Sequence, residues 1–575
     1  MKIAAGCDHA GLELKNLLIK HLLDTGYQVD DLGTYTDASV DYPVYGAAVG
    51  RAVARGEADL GLCVCGTGMG IAMAANKIPG VRAAVAHDVT TARLARQHNE
   101  SNVICFGGRI IGCEAALEAL DAFLNARPLG ERHHRRVEEL EKLQELWPVA
   151  GWVPGDTELE NLLWQEANRQ SSTIQLIASE NFTSPAVLAA SGSVLTNKYA
   201  EGYPHKRYYG GNYFIDEVED LARERLKALF GAEHANVQPH SGASANLAAY
   251  EALLDHGDTI LAMSLDQGGH LTHGAKASIT SHLWRFVPYG LTPASDDPGK
   301  PGEMIDLDAL DELAQKEHPR LIVVGTTAYT RLIEPRPFRE IADRVGAYLM
   351  FDIAHPAGLI AGGAHPSPVP FADVVTLTTH KTLRGPRGGA ILCKSEYAGA
   401  VDKAIFPGLQ GGPLEHTIAA KAVAFREASL PAFRDYAHRV VANAKALANA
   451  MDAEGFRLVS GGTDNHQVLV DLRTFDSELT GKEAQDVLDS AGITLNRNQI
   501  PGDPRPPFVT SGLRLGTPAE TTAGMGVNEM RQIAQFIKRA LKGKHDGEEA
   551  ARVRDDVREL CNSFPPYPFV PKATD

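Results

Sequence analysis

The sequence predicts an α/β protein in two units: a Rossmann-like parallel-sheet domain at the N-terminus, then a larger α/β region closed by a smaller α+β domain. Three observations carry this. Short apolar runs alternate with amphipathic stretches over the first 125 or so residues, a Pro/Gly-rich stretch follows, and a second alternation runs from Asp216 to about Gly412. In the first unit, Lys2–Cys7, Tyr27–Leu32, Leu60–Cys65, Val81–Ala86 and Val103–Phe106 read as strands. Leu12–Leu23, Pro43–Val53 and Cys113–Leu124 read as helices, so the unit is a βαβ array with helices on both faces. A charged helix is expected over Glu131–Leu146. The stretch Trp147–Asp156 has two prolines and two glycines and no period, so it is taken as a linker. Beyond it, Leu321–Gly325 and Tyr348–Asp352 read as strands of a second sheet. Past Ser429, helical stretches (Val440–Met451, Lys482–Ser490, Asn528–Leu541) mix with the strand-like Gln467–Leu472. The expected divisions are 1–146, a linker 147–156, 157–428 and 429–575.

A net charge of −16 disfavours nucleic acid and anionic membranes, both of which need a cationic surface. No run approaches the roughly 18 to 20 apolar residues that span a bilayer, and the N-terminus has no signal-like pattern, so a cytoplasmic protein is expected. Five of the seven cysteines (Cys7, Cys63, Cys65, Cys105, Cys113) crowd into the first fifth, which is no disulfide framework; reduced thiols are expected.

In the second unit the informative segment is TLTTHKTLRGPRGG, Thr376–Gly389. A lysine between hydroxyl residues, after an apolar strand and before a Gly-rich turn, has the fixed backbone a Schiff-base lysine needs. Upstream, Asp352 ends the strand YLMFD and His355 follows in DIAH; a buried carboxylate there would keep a pyridinium nitrogen protonated. In HSGASAN, Ser241, Gly242 and Ala243 stand where a helix begins and would cradle a phosphate with backbone N–H groups. Lysine, acid and phosphate nest together specify pyridoxal phosphate. Singly, each motif also fits a structural role, and His240, His273 and His380 also fit as packing residues; for Lys381, Asp352, His270 and Arg514 together the set argues otherwise.

With LIASENFTS (Leu176–Ser184), NKYAEGYPHKRYYGG (Asn197–Gly211), GGHLTHG (Gly268–Gly274) and TSGLRLGTPA (Thr510–Ala519), these motifs resemble serine hydroxymethyltransferases in order and spacing, from about Thr157 to the end. The resemblance implies the aspartate aminotransferase-like fold (fold type I), pyridoxal phosphate as cofactor, tetrahydrofolate as cosubstrate, and a homodimer or homotetramer. It implies Lys381 as the cofactor-bearing lysine, Asp352 on the pyridine nitrogen, His270 stacked on the ring and His355 near its phenolic oxygen, with Thr327 and His380 as further cofactor contacts. Ser179 and Arg514 would grip the amino-acid carboxylate, and Glu201 and Tyr209 would handle protons at the hydroxymethyl carbon. Tyr199, Gly411 and Gly412 would reach a neighbouring subunit's site, and Leu265, Gly269, Leu271 and Asn498 would meet the folate. Asp266 and Gln267 stand where the family more often has a small residue and a histidine, and Thr327 where serine is common.

In the first unit, GCDHAG (Gly6–Gly11) and CVCGTGMG (Cys63–Gly70) both end strands, where ligands sit in parallel sheets. CGTGMG is not a dinucleotide fingerprint; its glycines expose a row of N–H groups suited to an enediolate or phosphate oxyanion. Cys65 beside that nest would take a proton from carbon next to a carbonyl, and no second Cys or His pair follows at zinc spacing, so no metal is expected. RQHN (Arg96–Asn99) offers a histidine for ring opening, and Arg132 and Arg136, four residues apart, suit one phosphate. With DYP (Asp41–Pro43), these motifs resemble ribose-5-phosphate isomerase type B over about residues 1–146. The resemblance implies Cys65 as base, Asp8 and His98 as ring openers, and Gly66, Thr67, Gly68 and Gly70 around the enediolate. It also implies Asn99 at the sugar, and His9, Arg132, His133 and Arg136 on the phosphate. The rival readings are an isomerase of allose or galactose 6-phosphate or a non-catalytic dimerisation module for the first unit, and a folate-independent threonine aldolase for the second.

Overall fold

The computed structural model describes residues 1–130, 132–144, 156–295 and 302–567. The expected linker, apart from Asp156, lies outside the described residues, as do Glu131 and the last eight residues of the expected C-terminal domain. The chain divides into two compact units, 1–147 and 148–575.

In the first unit β1 (Lys2–Cys7), β2 (Gln28–Asp31), β3 (Leu60–Cys65), β4 (Ala83–Val85) and β5 (Val103–Gly107) form one parallel sheet in the order β2-β1-β3-β5-β4. The central strands β1, β3 and β5 are buried on both faces, and successive residues point to opposite sides. Leu62 and Val64 meet Leu14, Leu18, Leu120 and Phe123 of helices Leu12–Asp24 and Cys113–Asn125. Cys63 and Cys65 meet Val49, Ile71 and Ala72 of helices Tyr42–Ala54 and Met69–Ala75. All seven cysteines are free, and only Cys113 is exposed.

The second unit holds two short pairs, β6 (Ile174–Gln175) with β18 (Ile493–Thr494) and β7 (Gly202–Tyr203) with β8 (Lys206–Arg207). Its main sheet comprises β9 (His234–Asn236), β10 (Thr259–Met263), β11 (Arg285–Tyr289), β12 (Leu321–Gly325), β13 (Tyr348–Asp352), β14 (Val374–Thr378) and β15 (Gly389–Cys393), in the order β11-β10-β12-β13-β14-β15-β9. Pairing is parallel from β11 through β14, then antiparallel through β15 to β9. The loop from β14 to β15 is too short for a crossover helix, so the chain must return antiparallel. Lys381 lies in that return, at the same sheet end as Asp352. A smaller antiparallel sheet has β16 (Arg457–Leu458), β17 (Gln467–Asp471), β20 (Gly512–Gly516) and β19 (Asn496–Asn498), in that order.

The helix expected at Val440–Met451 begins earlier, at Pro431, and ends at Ala453. Proline with its fixed φ suits the first helical turn, and the extra turns are held by burial of Phe433, Tyr436 and Ala437 in the same core as Leu359, Ile360 and Phe425. Leu447, Ala448 and Met451 of the same helix enter the core of the small domain. No helix among the described residues is long and apolar enough to cross a membrane.

Candidate active sites

In the second unit, a cavity of about 430 Å3 is lined by Ser179, Ser241, Gly242, Ala243, His270, Thr327, Asp352, His355, His380, Lys381 and Arg514. The local sequence explains how Lys381 is fixed. Its flanking hydroxyls bond backbone carbonyls: Thr378 Oγ1 donates to Ala354 O (3.1 Å), Thr379 Oγ1 to Pro386 O (2.6 Å) and Thr382 Oγ1 to His355 O (2.6 Å). Asn181 Nδ2 donates to the carbonyl of Lys381 itself at 2.9 Å. A side chain at Gly358 would strike Thr382 O, so the DIAHPAG segment packs directly on the lysine loop. Ser241 caps the helix Gly242–Leu253, its Oγ accepting from Ser244 N at 3.1 Å.

Asp352 is clamped from three sides. Its Oδ2 accepts from Asn246 Nδ2 (2.8 Å) and lies 3.1 Å from His273 Nε2, while Oδ1 accepts from Ala354 N (2.9 Å). Burial pushes the carboxyl up, but His273, His270 and Asn246 outweigh burial and hold it well below the ordinary carboxylate range. Burial pulls the Lys381 ammonium down to about 8, with Asp352 opposing. Burial likewise lowers Arg514 to about 10, His270 to about 4 and His380 to about 3, and carries His355 well below its usual value. Neutral imidazoles therefore surround a carboxylate and buried cations, an environment fit for an anionic ligand. Arg514 donates from Nη1 to Thr327 O (2.6 Å) and from Nε to Asn496 Oδ1 (3.1 Å).

Several nominated residues lie apart from this cavity. Tyr199 donates to Glu201 Oε1 at 3.3 Å and meets Tyr209 edge-on at 5.3 Å, and Gly412 lies against the Tyr199 ring, with Gly411 beside Glu201. Tyr199 and Tyr209 are at least half exposed in the single chain. Leu265 and Leu271 are also exposed, and Asn498 ends β19 with its amide donating to Gln499 O. Gly269 lies so close to Met263 O that no side chain fits. Of the departures, Gln267 accepts from Leu291 N at 2.6 Å and Asp266 accepts from Ser264 Oγ. Sequence reasoning passed over Asn246, Glu180 and Arg387 and left His273 as a packing residue. All four stand in quoted motifs, yet their roles depend on pairings across the fold.

In the first unit Cys65 ends β3 and is nearly fully buried, and Gly68 N donates to its sulfur at 3.2 Å. Gly68 is left-handed (φ 78°) and starts the helix Met69–Ala75, and a side chain there would crowd Phe106. Asp8 follows β1, and its Oδ1 accepts from Ala10 N and Gly11 N, both at 3.0 Å. Asp8 N bonds Val64 O and Gly108 N bonds Cys65 O, so the ends of β1, β3 and β5 are tied at the carboxyl edge of the sheet. His9 Nδ1 accepts from Val40 N (3.2 Å), Thr67 Oγ1 accepts from Met69 N (3.3 Å), and Gly70 packs on the Tyr42 ring.

The other nominated residues form a second group. His98, in the helix Val89–Asn99, stacks on His133 with ring centroids 4.3 Å apart, and Arg132 Nε donates to His133 Nε2 at 3.3 Å. Partial desolvation, then the charges of His98 and Arg132, lower the His133 imidazole. Arg136 lies one turn after Arg132 in the helix Arg132–Gln144. Among the described residues, no hydrogen bond, ion pair or ring contact joins this group to the one around Cys65.

Comparison with protein families agrees with both sets of motifs. A family described as Serine hydroxymethyltransferase matches residues 153–537, more than half of the chain, and one described as Ribose/Galactose Isomerase matches residues 3–140. The chain therefore belongs to the serine hydroxymethyltransferase family and carries a ribose/galactose isomerase domain ahead of it.

Proposed function

We propose that the second unit moves the hydroxymethyl group of serine to tetrahydrofolate, leaving glycine, with pyridoxal phosphate on Lys381. The observation that carries this is the shared cavity: Lys381, Asp352, Arg514 and the helix start at Ser241–Ala243 line one space. The donor set fits the group: a lysine lowered to about 8 for the aldehyde, an ionised Asp352 for the ring nitrogen, and N–H groups for the phosphate. When bound, the cofactor supplies an electron sink for the substrate's α-carbon. Arg514 and Ser179 hold the serine carboxylate and orient the bond to be broken. Asp352 keeps its partner nitrogen protonated, and neutral His270 offers a flat face to the ring. Thr327, His355 and His380 complete the cofactor pocket.

Glu201 and Tyr209 move protons at the hydroxymethyl carbon, but they cluster with Tyr199, Gly411 and Gly412 on an exposed surface. That exposure supports a homodimer, or a homotetramer built from it, in which this cluster completes a partner's site. Leu265, Gly269, Leu271 and Asn498 meet the folate. Reconstitution with pyridoxal phosphate tests the assignment: wild type should develop visible absorbance and cleave serine, and Lys381→Ala should do neither. Retained covalent absorbance in that variant overturns it.

The first unit is proposed to interconvert ribose 5-phosphate and ribulose 5-phosphate. Cys65 is the base at the C2 proton, and the N–H groups from Gly66 through Thr67 and Gly68 to Gly70 face the developing oxyanion. Asp8 and His98 open the ring, Asn99 bonds the sugar, and His9, Arg132, His133 and Arg136 take the phosphate. The contact from Gly68 N–H holds the Cys65 sulfur at the edge of the glycine nest. Assay against ribose 5-phosphate, then allose and galactose 6-phosphates, tests the substrate. We place the whole protein in the cytoplasm.

A further inference from the structure

Lys421 lies in the helix Glu415–Ala428, and only 1% of it is exposed. Its ammonium meets three backbone carbonyls, Val237 O at 2.6 Å, Gly389 O at 2.8 Å and Pro239 O at 3.1 Å. No carboxylate pairs with it directly among the described residues. Burial pulls this amine down to about 7, with the charges of Glu219 and Glu415 opposing, and an amine placed so deep needs a reason. The ladder between β15 and β9 stops at Ile391 and Asn236, and beyond that point the chain leaves the sheet toward Ser241. Val237 O and Pro239 O on this exit and Gly389 O at the start of β15 converge on the Lys421 ammonium, which has one proton for each, and Pro239 O also accepts from Gly389 N at 3.1 Å.

The exit segment is held on its other side by Gln410. Its Oε1 accepts from His240 N at 3.0 Å and its Nε2 donates to Gln238 O at 2.9 Å. The carbonyls from Val237 to Pro239 and the N–H of His240 are thus all bound by two side chains. Close packing fixes the geometry further. A side chain at Gly388 would strike Lys421 Cε, and one at Gly389 would strike Ser241 O. The next residues, Ser241–Ala243, are the helix start proposed above to receive the cofactor phosphate. A nest of N–H groups binds only when its backbone is set to within about half an ångström.

We propose that Lys421 is the positioning residue of the phosphate cradle, fixing the Ser241–Ala243 backbone through the carbonyls of Val237, Pro239 and Gly389, with Gln410 as its counterpart. This rests on the reading of the Lys381 cavity as a pyridoxal phosphate site. Lys421→Met keeps the length and packing of the side chain and removes the three donors. The full-length protein is titrated with pyridoxal phosphate and with pyridoxal, which has the same ring and aldehyde but no phosphate. The expected result is a loss of roughly ten- to a hundred-fold in affinity for pyridoxal phosphate, the scale seen when supporting residues of a bound group are removed, with pyridoxal affinity within about three-fold of wild type. Equal weakening of both aldehydes, or of neither, overturns the proposal. Should Lys421→Met fail to fold by circular dichroism, Gln410→Leu decides, since the same phosphate-selective loss is expected there and an unselective one refutes it. Failure of the wild type to bind pyridoxal phosphate refutes instead the cofactor reading beneath it.

Discussion

Arg514→Ala tests how the second unit recognises its amino acid. In the single chain Arg514 is 7% exposed, and its guanidinium bonds only neutral partners, Thr327 O and Asn496 Oδ1. Guanidinium carries five N–H donors, so those not engaged there remain for a carboxylate in the cavity that Arg514 lines. Two charge-assisted bonds at about 1.5 kcal/mol each, the low end of their range, amount to about 3 kcal/mol, or roughly 150-fold in affinity. Arg514→Lys keeps the charge but not the fork, and should lose about ten-fold. The assay is titration of the cofactor-loaded protein with serine and with ethanolamine, which lacks the carboxylate, read by the change in visible spectrum. Serine should weaken in Arg514→Ala while ethanolamine hardly changes. Serine affinity within about three-fold of wild type, or equal loss for ethanolamine, refutes the role.

Because burial puts the Lys381 ammonium at about 8 rather than 10.5, the amine that attacks an aldehyde is the minor form below that pH and the major form above it. The rate of covalent pyridoxal phosphate uptake by the cofactor-free protein should therefore rise with pH and level off above about 8; an inflection near 10.5 contradicts the shift. Mixing Lys381→Ala with Glu201→Gln protein under subunit exchange should restore some activity, since each hybrid regains one intact site. No recovery despite measured exchange rejects the shared site. Cys65→Ala should abolish isomerisation and leave serine cleavage intact, whereas Cys63→Ala should only loosen the core by about 1 kcal/mol. Isomerase activity surviving in Cys65→Ala removes that residue as the base.

What the sequence revealed, and what it hid, follows from the range of the interactions involved. Apolar alternation shows which segments are strands, but not that β9, the earliest strand of the main sheet, pairs last, beyond β15. That placement brings the Ser241 loop beside the lysine loop, and it depends on pairing across 155 residues, from Asn236 to Ile391. Motif residues that act through their own chemistry, such as Lys381, Asp352 and Arg514, stand out because few residue types do what they do. His273 did not, because a histidine three residues after another has no special reading until Asp352 arrives from 79 residues away. Lys421 was less legible still: a lysine in an alanine-rich helix reads as a solvated position, and only the fold shows it buried under three carbonyls. In the first unit His98 and His133 are both named from motifs, but their stack, joining the helix Val89–Asn99 to the helix Arg132–Gln144, is visible only in the fold. Residues that touch a ligand are constrained in type and can be read singly. Residues that hold those residues in place are constrained by geometry, and become visible only when the distances are known.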